Sequence, residues 1–122
     1  MAKIGRCKEY FDTLDKRYVA SASKGVDAVY QFNLTGDGGG TWHIVVNDGS
    51  WSVVEGAHDD PSSVITADAS NYVKIANGDM NGLRAVMTRK MTVSGNLVLA
   101  RKMQQMLPTG PLSDYVARVH RF

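Results

Sequence analysis

Apolar and polar residues alternate over residues 28–34 and again on both sides of Asp48-Gly49. Alternation of this kind is typical of strands that bury one face of a sheet, and Asp-Gly is a preferred pair for a two-residue type I′ turn. The sequence therefore predicts one strand followed by a hairpin that closes at Asp48-Gly49. The predicted pairs on the apolar face of the hairpin are Val46 with Trp51, Ile44 with Val53, and Trp42 with Glu55.

A glycine-rich segment, residues 36–40, joins the first strand to this hairpin. A five-residue loop keeps the apolar side chains of both strands on one face, whereas a four-residue loop turns one set toward water. We therefore expect the five-residue loop. The pairs that it predicts are Leu34 with Trp42, Phe32 with Ile44, and Tyr30 with Val46.

The segment before the first strand has the apolar periodicity of an amphipathic helix over residues 3–22, with charged residues between the apolar ones. Its apolar stripe is Ile4, Cys7, Phe11, Leu14 and Tyr18. This helix is expected to pack on the sheet.

The second half of the chain alternates short strands with short helices. Asp68 suits the N-cap of one helix, and Asn77-Gly78 suits its end. Two prolines within residues 108–111 stop the last of these helices, and the pattern after them predicts one more short helix at 112–119. The predicted strands cover residues 63–67 and 88–94, and the predicted helices cover 69–76, 80–87 and 97–107.

Length and composition indicate one globular domain over residues 1–122, with 43% hydrophobic and 21% charged residues. The net charge of +2 is too small to recognise nucleic acid by charge alone. No apolar run reaches the roughly 18 residues of a membrane span, and the first residues lack the apolar core of a signal peptide. Cys7 is the single cysteine, so no intramolecular disulfide is available, and we expect a cytoplasmic location.

No motif for catalysis, for a metal or for a cofactor is found in the sequence. His43, His58 and His120 are dispersed, and His58 beside Asp59 has no further ligands with which to complete a metal shell. The nucleophile elbow, the Walker loop and the zinc-protease motif are all missing. We therefore expect a protein that is not an enzyme and that uses no catalytic residue, metal or cofactor.

Methionine is concentrated in the second half of the chain, and cations lie in the same region. Methionine is flexible and polarisable, which suits a wall that adapts to apolar ligands, although ordinary core packing also explains it. The cations either form a solvated face or rim an opening that attracts an anionic headgroup or a membrane surface. The methionines are Met80, Met87, Met91, Met103 and Met106, and the cations are Arg84, Arg89, Lys90, Arg101 and Lys102.

Four segments, in this order, resemble the sterol carrier protein type 2 family. They are residues 41–49 (a tryptophan strand and Asp-Gly turn), 64–66 with 69–78 (strand, helix and glycine), 90–96 (a lysine strand and glycine turn) and 100–103 (the last helix). The resemblance covers about residues 4–107, and Arg89 departs from it, because the family usually has glycine there. It implies an α+β fold: a five-stranded, mainly antiparallel sheet covered by helices, with an apolar ligand tunnel between them.

The resemblance implies non-enzymatic binding and transfer or presentation of a lipid: a fatty acid, an acyl-CoA, a phospholipid or a sterol-like ligand. The ligand would lie between two walls. The expected ligand-binding residues of the sheet are Phe32, Leu34, Trp42, Ile44, Trp51 and Val53. Those of the opposite wall are Leu83, Met87, Met91, Met103 and Met106. Residues 108–122 form a C-terminal extension that could act as a lid.

Two other functions stay open at this point. One is an accessory module that presents an isoprenoid, quinone-type or acyl substrate to a separate enzyme. The other is a structural domain that forms a homodimer through its apolar face. The end of the chain, His120-Arg121-Phe122, lacks the peroxisomal tripeptide of some members, so we expect a stand-alone prokaryotic-type domain. The expected partners are a lipid ligand and, transiently, a membrane surface, with no nucleic acid.

Overall fold

Residues 4–16 and 18–107 are described by the structure, a computed structural model. Two 3₁₀ turns, at Leu14–Lys16 and Ala20–Ser23, follow the first helix. The helices are α1 (Cys7–Asp12), α2 (Ala69–Ala76), α3 (Gly82–Met87) and α4 (Leu97–Met106). The strands are β1 (Asp27–Thr35), β2 (Gly40–Asn47), β3 (Ser50–Glu55), β4 (Ser63–Asp68) and β5 (Met91–Gly95). The short helix expected at 112–119 lies outside the described residues.

The five strands form one sheet in the order β3-β2-β1-β4-β5. Every neighbouring pair is antiparallel except β1 with β4, which is parallel. The parallel pair requires a crossover, and the segment between β3 and β4 supplies it. The expected α+β fold with a five-stranded, mainly antiparallel sheet is therefore confirmed.

The β2–β3 hairpin has the predicted register. Val46 pairs with Trp51, and the neighbouring pairs agree with it. Both turn residues have positive φ, 46° at Asp48 and 91° at Gly49, as a type I′ turn requires. The Asp48 carboxylate also accepts a hydrogen bond of 2.7 Å from the amide of Gly25, which fixes the turn against the chain before β1.

The predicted β1–β2 register was wrong by two residues. Phe32 pairs with Trp42, and Leu34 pairs with Gly40. The loop closes early because the Gly39 amide donates to the Gly36 carbonyl, and a Cβ on Gly39 would lie 2.2 Å from the Leu34 carbonyl oxygen. Because side chains repeat every two residues along a strand, the shift leaves the apolar residues on the expected face.

The first helix is much shorter than the predicted span of residues 3–22. It ends at Asp12, where the Thr13 hydroxyl donates to the Glu9 carbonyl, and the two 3₁₀ turns follow. Further along, the amide of Val19 donates to the carbonyl of Met106, so tertiary pairing with α4 replaces helical bonds. The predicted apolar stripe is buried at Ile4, Cys7, Phe11 and Leu14, and half-buried at Tyr18.

Helix α2 has the predicted bounds and cap. The Asp68 carboxylate accepts from the Ser70 hydroxyl and amide, and these bonds hold the pKa of Asp68 below its usual range. At the other end, Gly78 has a φ of 82°. Next to it the buried Asn77 side chain accepts from the Ile4 amide and donates to the Ile4 carbonyl, which ties α2 to the start of the chain.

Helix α3 and strand β5 both begin later than predicted. The Asn81 side chain caps α3 by accepting from the Arg84 amide, so the helix starts at Gly82 rather than at residue 80. Residues 88–90 form a turn and not the start of a strand. Arg89 has a φ of 61° in this turn, a left-handed conformation that favours glycine.

Candidate functional site

The helix layer covers the apolar face of the sheet unevenly. Over β1, β2 and β3, aromatic rings fill the space, and we call this part the closed end. The Phe11 ring stacks on Trp42 with centroids 4.6 Å apart, and the Tyr18 ring stacks on Trp51 at 4.5 Å. Phe32 lies beneath them with its ring 5.3 Å from that of Phe11, and it has no exposed surface.

Over β4 and β5 the same face is left partly open. Helices α3 and α4 stand on either side of a groove of about 420 Å³, which we call the open end. Its lining contains no aromatic ring and no carboxylate, and Arg101 is its single charged side chain. The lining residues are Ile65, Gly82, Leu83, Val86, Met91, Val93, Leu97, Ala100, Arg101 and Met103.

Strand pairing positions the floor of the groove. Ile65 of β4 pairs with Val93 of β5, and Ala67 pairs with Met91, so these side chains share the apolar face. Ile65 is 1% exposed and belongs to the packed core, whereas Met91 and Val93 are half-buried. The floor of the groove is therefore buried in the core at β4 and accessible at β5.

Hydrogen bonds fix the start of α4 above this floor. The Asn96 side chain caps the helix by accepting from the Leu99 amide, and the Ser63 hydroxyl donates to the Asn96 carbonyl at 2.7 Å. From below, the Tyr30 hydroxyl donates to the Leu99 carbonyl at 2.7 Å. Burial raises the pKa of Tyr30 to about 12, so this hydroxyl keeps its proton at physiological pH.

Small residues of the helix layer create the empty space. Gly82 faces the groove from α3, and a Cβ built on it would lie 4.0 Å from the Met91 methyl. Ala100 faces the groove from α4. The walls beside them are aliphatic and flexible, which matches sites that bind apolar ligands with few polar anchors.

The structure brings three of the residues predicted to bind ligand together in this groove: Leu83, Met91 and Met103. The remaining two residues of the predicted second wall are elsewhere. Met106 is 1% exposed in the core, where its sulfur accepts from the Tyr18 hydroxyl at 3.7 Å. Met87 is 75% exposed and does not line the groove.

The six predicted residues of the sheet lie at the closed end and in the core. Phe32, Leu34 and Ile44 are buried in close packing. Trp42 and Val53 border a separate depression of about 290 Å³ whose other lining residues are Phe11, Lys8, Asp12 and Glu55. The Trp51 ring is covered by Tyr18. Their contact with a ligand stays a prediction, as it does for the residues of the groove.

Part of the groove lining was missed from the sequence. Ile65 and Val93 could have been found, since both lie on strands that were correctly recognised and Val93 alternates with the polar residues Thr92 and Ser94. Val86, Leu97 and Ala100 belong to predicted helices, but periodicity alone does not say which edge of an apolar stripe meets a neighbouring helix. Arg101 had been recognised only as one of five cations near an opening.

The two described histidines lie away from the groove, His43 on β2 and His58 in the loop between β3 and β4. Their rings lie 5.2 Å apart, and His43 Nδ1 is 2.8 Å from the Gly56 carbonyl oxygen, to which it donates. The backbone amide of Asp60 donates to His58 Nδ1. Among residues 4–16 and 18–107, no three His, Cys, Asp or Glu side chains are grouped as a metal site would need.

Within the same described ranges, none of the helices combines the length and the apolar character that crossing a membrane requires. The longest helix of the groove, α4, has ten residues. Its length is about half of what a span needs.

Comparison with known proteins identifies a family by sequence and the same fold among solved structures. Residues 9–108 match the family model described as the SCP-2 sterol transfer family. The sterol carrier protein domain 2 of Helicoverpa armigera aligns with a TM-score of 0.66, 20% identity, and coverage of 81% of this chain and 80% of that one. Palmitated SCP2L2 of Aedes aegypti aligns with a TM-score of 0.65, 18% identity, and coverage of 85% and 92%.

Among curated proteins, hydroxysteroid dehydrogenase-like protein 2 of Bos taurus is 28% identical over 107 residues, which are 87% of this chain and 26% of the bovine protein. The chain spans between 20% and 26% of the length of the first curated relatives that it matches. These relatives therefore contain much more chain than the matching domain.

Proposed function

This chain belongs to the SCP-2 sterol transfer family, and from that premise we propose that it binds and transfers a lipid whose acyl chain lies in the groove of the open end. The observation that supports this most directly is the lining: nine of its ten residues are uncharged, and together they enclose about 420 Å³. Sites for small molecules usually measure about 300–1,000 Å³ and are largely apolar.

The binding energy would come from dehydration of the acyl chain. Each methylene removed from water contributes roughly 0.8 kcal/mol, so even a partly enclosed chain gains several kcal/mol. Met91 and Met103 can adjust their side chains to ligands of different shape, because methionine has no branch at Cβ. The proposed site therefore favours flexible aliphatic ligands over one rigid shape.

Arg101 gives the otherwise uncharged lining one charged side chain. It lies on α4 within the lining, and no carboxylate of the lining competes for it. We propose that it receives the anionic end of the ligand, a fatty-acid carboxylate or a phosphate. The palmitated state of SCP2L2 from Aedes aegypti supports a fatty acid as the first ligand to test.

The test is uptake of a fluorescent fatty acid, added as monomer, by protein from which bound lipid has been extracted. Met103→Glu places a charge in the groove, and Ala100→Phe fills it without a charge. Both variants should bind at least about tenfold more weakly than the wild type, because each removes apolar space from the ligand. Circular dichroism and urea unfolding confirm that each variant folds.

A matched control is Val54→Glu. Val54 is also a partly exposed apolar residue, 43% exposed on β3, but it does not line the groove. It should leave uptake unchanged. Wild-type uptake in both folded groove variants would overturn the proposed site, and no uptake by the wild type itself would overturn the proposed function.

A second candidate function is presentation of the bound lipid to an enzyme. It is supported by the bovine relative, in which the matching region is only 26% of a longer protein. If presentation is the function, transfer between vesicles should be slow without a partner, and an enzyme acting on acyl or isoprenoid substrates should co-purify with this chain. Fast transfer by the isolated protein would favour the carrier.

A further inference from the structure

Charge is distributed very unevenly along this chain. Between Met80 and Leu107 there are five Lys and Arg residues and no Asp or Glu. The other nine Lys and Arg residues share the rest of the chain with all 12 acidic residues. A net charge of only +2 therefore conceals a cationic segment, and this segment contains α3, β5 and α4, the elements around the groove.

All five cations of this segment are exposed: Arg84, Arg89, Lys90, Arg101 and Lys102. Among the described residues, none of them lies within 4.0 Å of a carboxylate. A solvated surface usually mixes both signs of charge, so five cations without an acidic neighbour in the described part of the chain leave a positive potential for an anionic partner.

The same helices expose most of the large apolar side chains at the surface. Of the six exposed large hydrophobic residues among the described ones, five belong to α3 and α4, and Val54 is the other. Met87 is 75% exposed and Val98 is 67% exposed, although neither lines the groove. Together with Leu83, Val86 and Leu97 they concentrate exposed apolar surface on these two helices, which is typical of a surface that meets a partner.

Helical spacing places these apolar and cationic residues side by side. Val98 and Lys102 are four residues apart on α4, and Arg84 and Met87 are three apart on α3, so each pair is adjacent on its helix. Leu83 and Leu97 border the groove and are themselves 66% and 63% exposed. The apolar tips and the cations therefore lie on the two helices that border the groove, next to residues that line it.

We propose that this α3–α4 face docks on an anionic lipid bilayer. Met87 and Val98 enter the headgroup region, Arg84 and Lys102 pair with lipid phosphates, and the groove opens toward the membrane. Apolar tips flanked by cations suit an interface that is charged outside and apolar within. The proposal rests on the proposed function, because docking there lets a lipid pass between bilayer and groove without crossing water.

The charges favour a bilayer over other occupants. Residues 108–122, which follow α4, carry two Arg and one Asp, so their net charge is positive and does not neutralise this face. In a second copy of this chain the acidic residues are spread among nine cations. An anionic membrane presents a continuous negative surface, and each Lys or Arg near it adds to the attraction.

The experiment is flotation of the full chain with vesicles of phosphatidylcholine alone and with vesicles that also contain phosphatidylglycerol. The wild type should float only with the anionic vesicles, and added salt should weaken the binding because it screens exposed charges. Arg84→Glu with Lys102→Glu should reduce binding at least about tenfold. Met87→Ser with Val98→Ser should reduce it by a smaller factor.

Lys16→Glu with Lys24→Glu is the matched control, because it changes the net charge equally through exposed residues outside this segment. Equal loss of flotation in both charge-reversed variants would overturn the proposed face. Absence of flotation by the wild type, or a face-dependent dimer in sedimentation without vesicle binding, would also overturn it. Uptake of monomeric fatty acid, measured in parallel, tests the proposed function separately, since none of these residues lines the groove.

Discussion

The closed end and the open end of the sheet have the same alternation along their strands but differ in the side chains that cover it. At both ends the strands turn alternate apolar residues toward the helices. At the closed end, Phe11 and Tyr18 place their rings directly on Trp42 and Trp51. At the open end the helices contribute no aromatic ring, two of their lining residues are the small Gly82 and Ala100, and a groove remains. The difference teaches that side-chain volume in the covering layer decides where this fold can bind a ligand.

The two ends also differ in how they meet the solvent. The rim of the depression beside Trp42 carries Lys8 and Asp12, which form an ion pair of 2.8 Å. The rim of the groove carries cations without described acidic neighbours. Balanced charge suits a surface that stays in water, whereas unbalanced charge suits a surface that meets an anionic partner.

The largest difference between the two ends should be seen in stability. Phe32→Ala removes a ring with no exposed surface, which contacts the rings of Phe11 and Tyr72, and should cost about 3–5 kcal/mol in free energy of unfolding. Leu97→Ala, at a position 63% exposed, should cost less than about 1 kcal/mol. Urea denaturation measures both, and equal losses would contradict the division into a packed and an open end.

A smaller effect should follow from the bond that anchors α4. Tyr30→Phe removes the donor to the Leu99 carbonyl and should cost about 1 kcal/mol, because that carbonyl loses its buried partner. The pKa of Tyr30 is raised by burial from 10.0 to about 12. The folded protein therefore holds this proton more tightly than the unfolded chain, and the stability it contributes is present below pH 10 and is lost as the pH rises toward 12.

Urea unfolding, measured at neutral pH and again at a pH between 10 and 12, tests whether Tyr30 carries this pH dependence. The wild type should lose more stability on alkalinisation than Tyr30→Phe does. The thiol of Cys7, whose pKa burial raises to about 11, is the same in both proteins and cancels in the comparison. Identical alkaline losses would show that Tyr30 does not carry the effect.

The smallest of these effects should be a gain in stability. Arg89 has a φ of 61° in the turn between α3 and β5, and a side chain in this region costs about 1 kcal/mol relative to glycine. Arg89→Gly should therefore stabilise the open end by up to that amount, less the extra freedom of glycine in the unfolded chain. Lys90→Gly, at a neighbouring position without positive φ, is the control and should not stabilise. A loss of stability in Arg89→Gly would contradict the strain argument.

Much of the fold could be predicted, because the strongest signals are local. The Asp48-Gly49 turn fixes the β2–β3 register by itself, and Asp68 fixes the start of α2. The β1–β2 register depends instead on a loop whose closure is set by the Gly39 backbone against Leu34. Periodicity identifies the face of β1 but cannot distinguish registers that differ by two residues.

The candidate site could be predicted only in part. Met91, Met103 and Leu83 were chosen for their chemistry, and the structure places them together. Met106 and Met87 have the same chemistry, but one is buried beside Tyr18 and the other faces solvent. Sequence periodicity reports which residues are apolar and not how far two helices stand apart, so the boundary between core and groove needed the structure. The domain boundaries and the cytoplasmic location stay predictions.

The elements that border the groove also follow one another along the chain. Strand β5 pairs with β4 alone at the edge of the sheet, and α3 and α4 precede and follow it directly. Because β5 has a strand on one side only, we expect the amides of α3 and β5 to exchange with solvent by local opening while β1 and β2 keep their pairing, and the hydrogen bonds from Tyr30 and Ser63 to keep α4 in place. Such breathing would admit a ligand wider than the resting groove, and the rigid half of the sheet would restore the original shape afterwards.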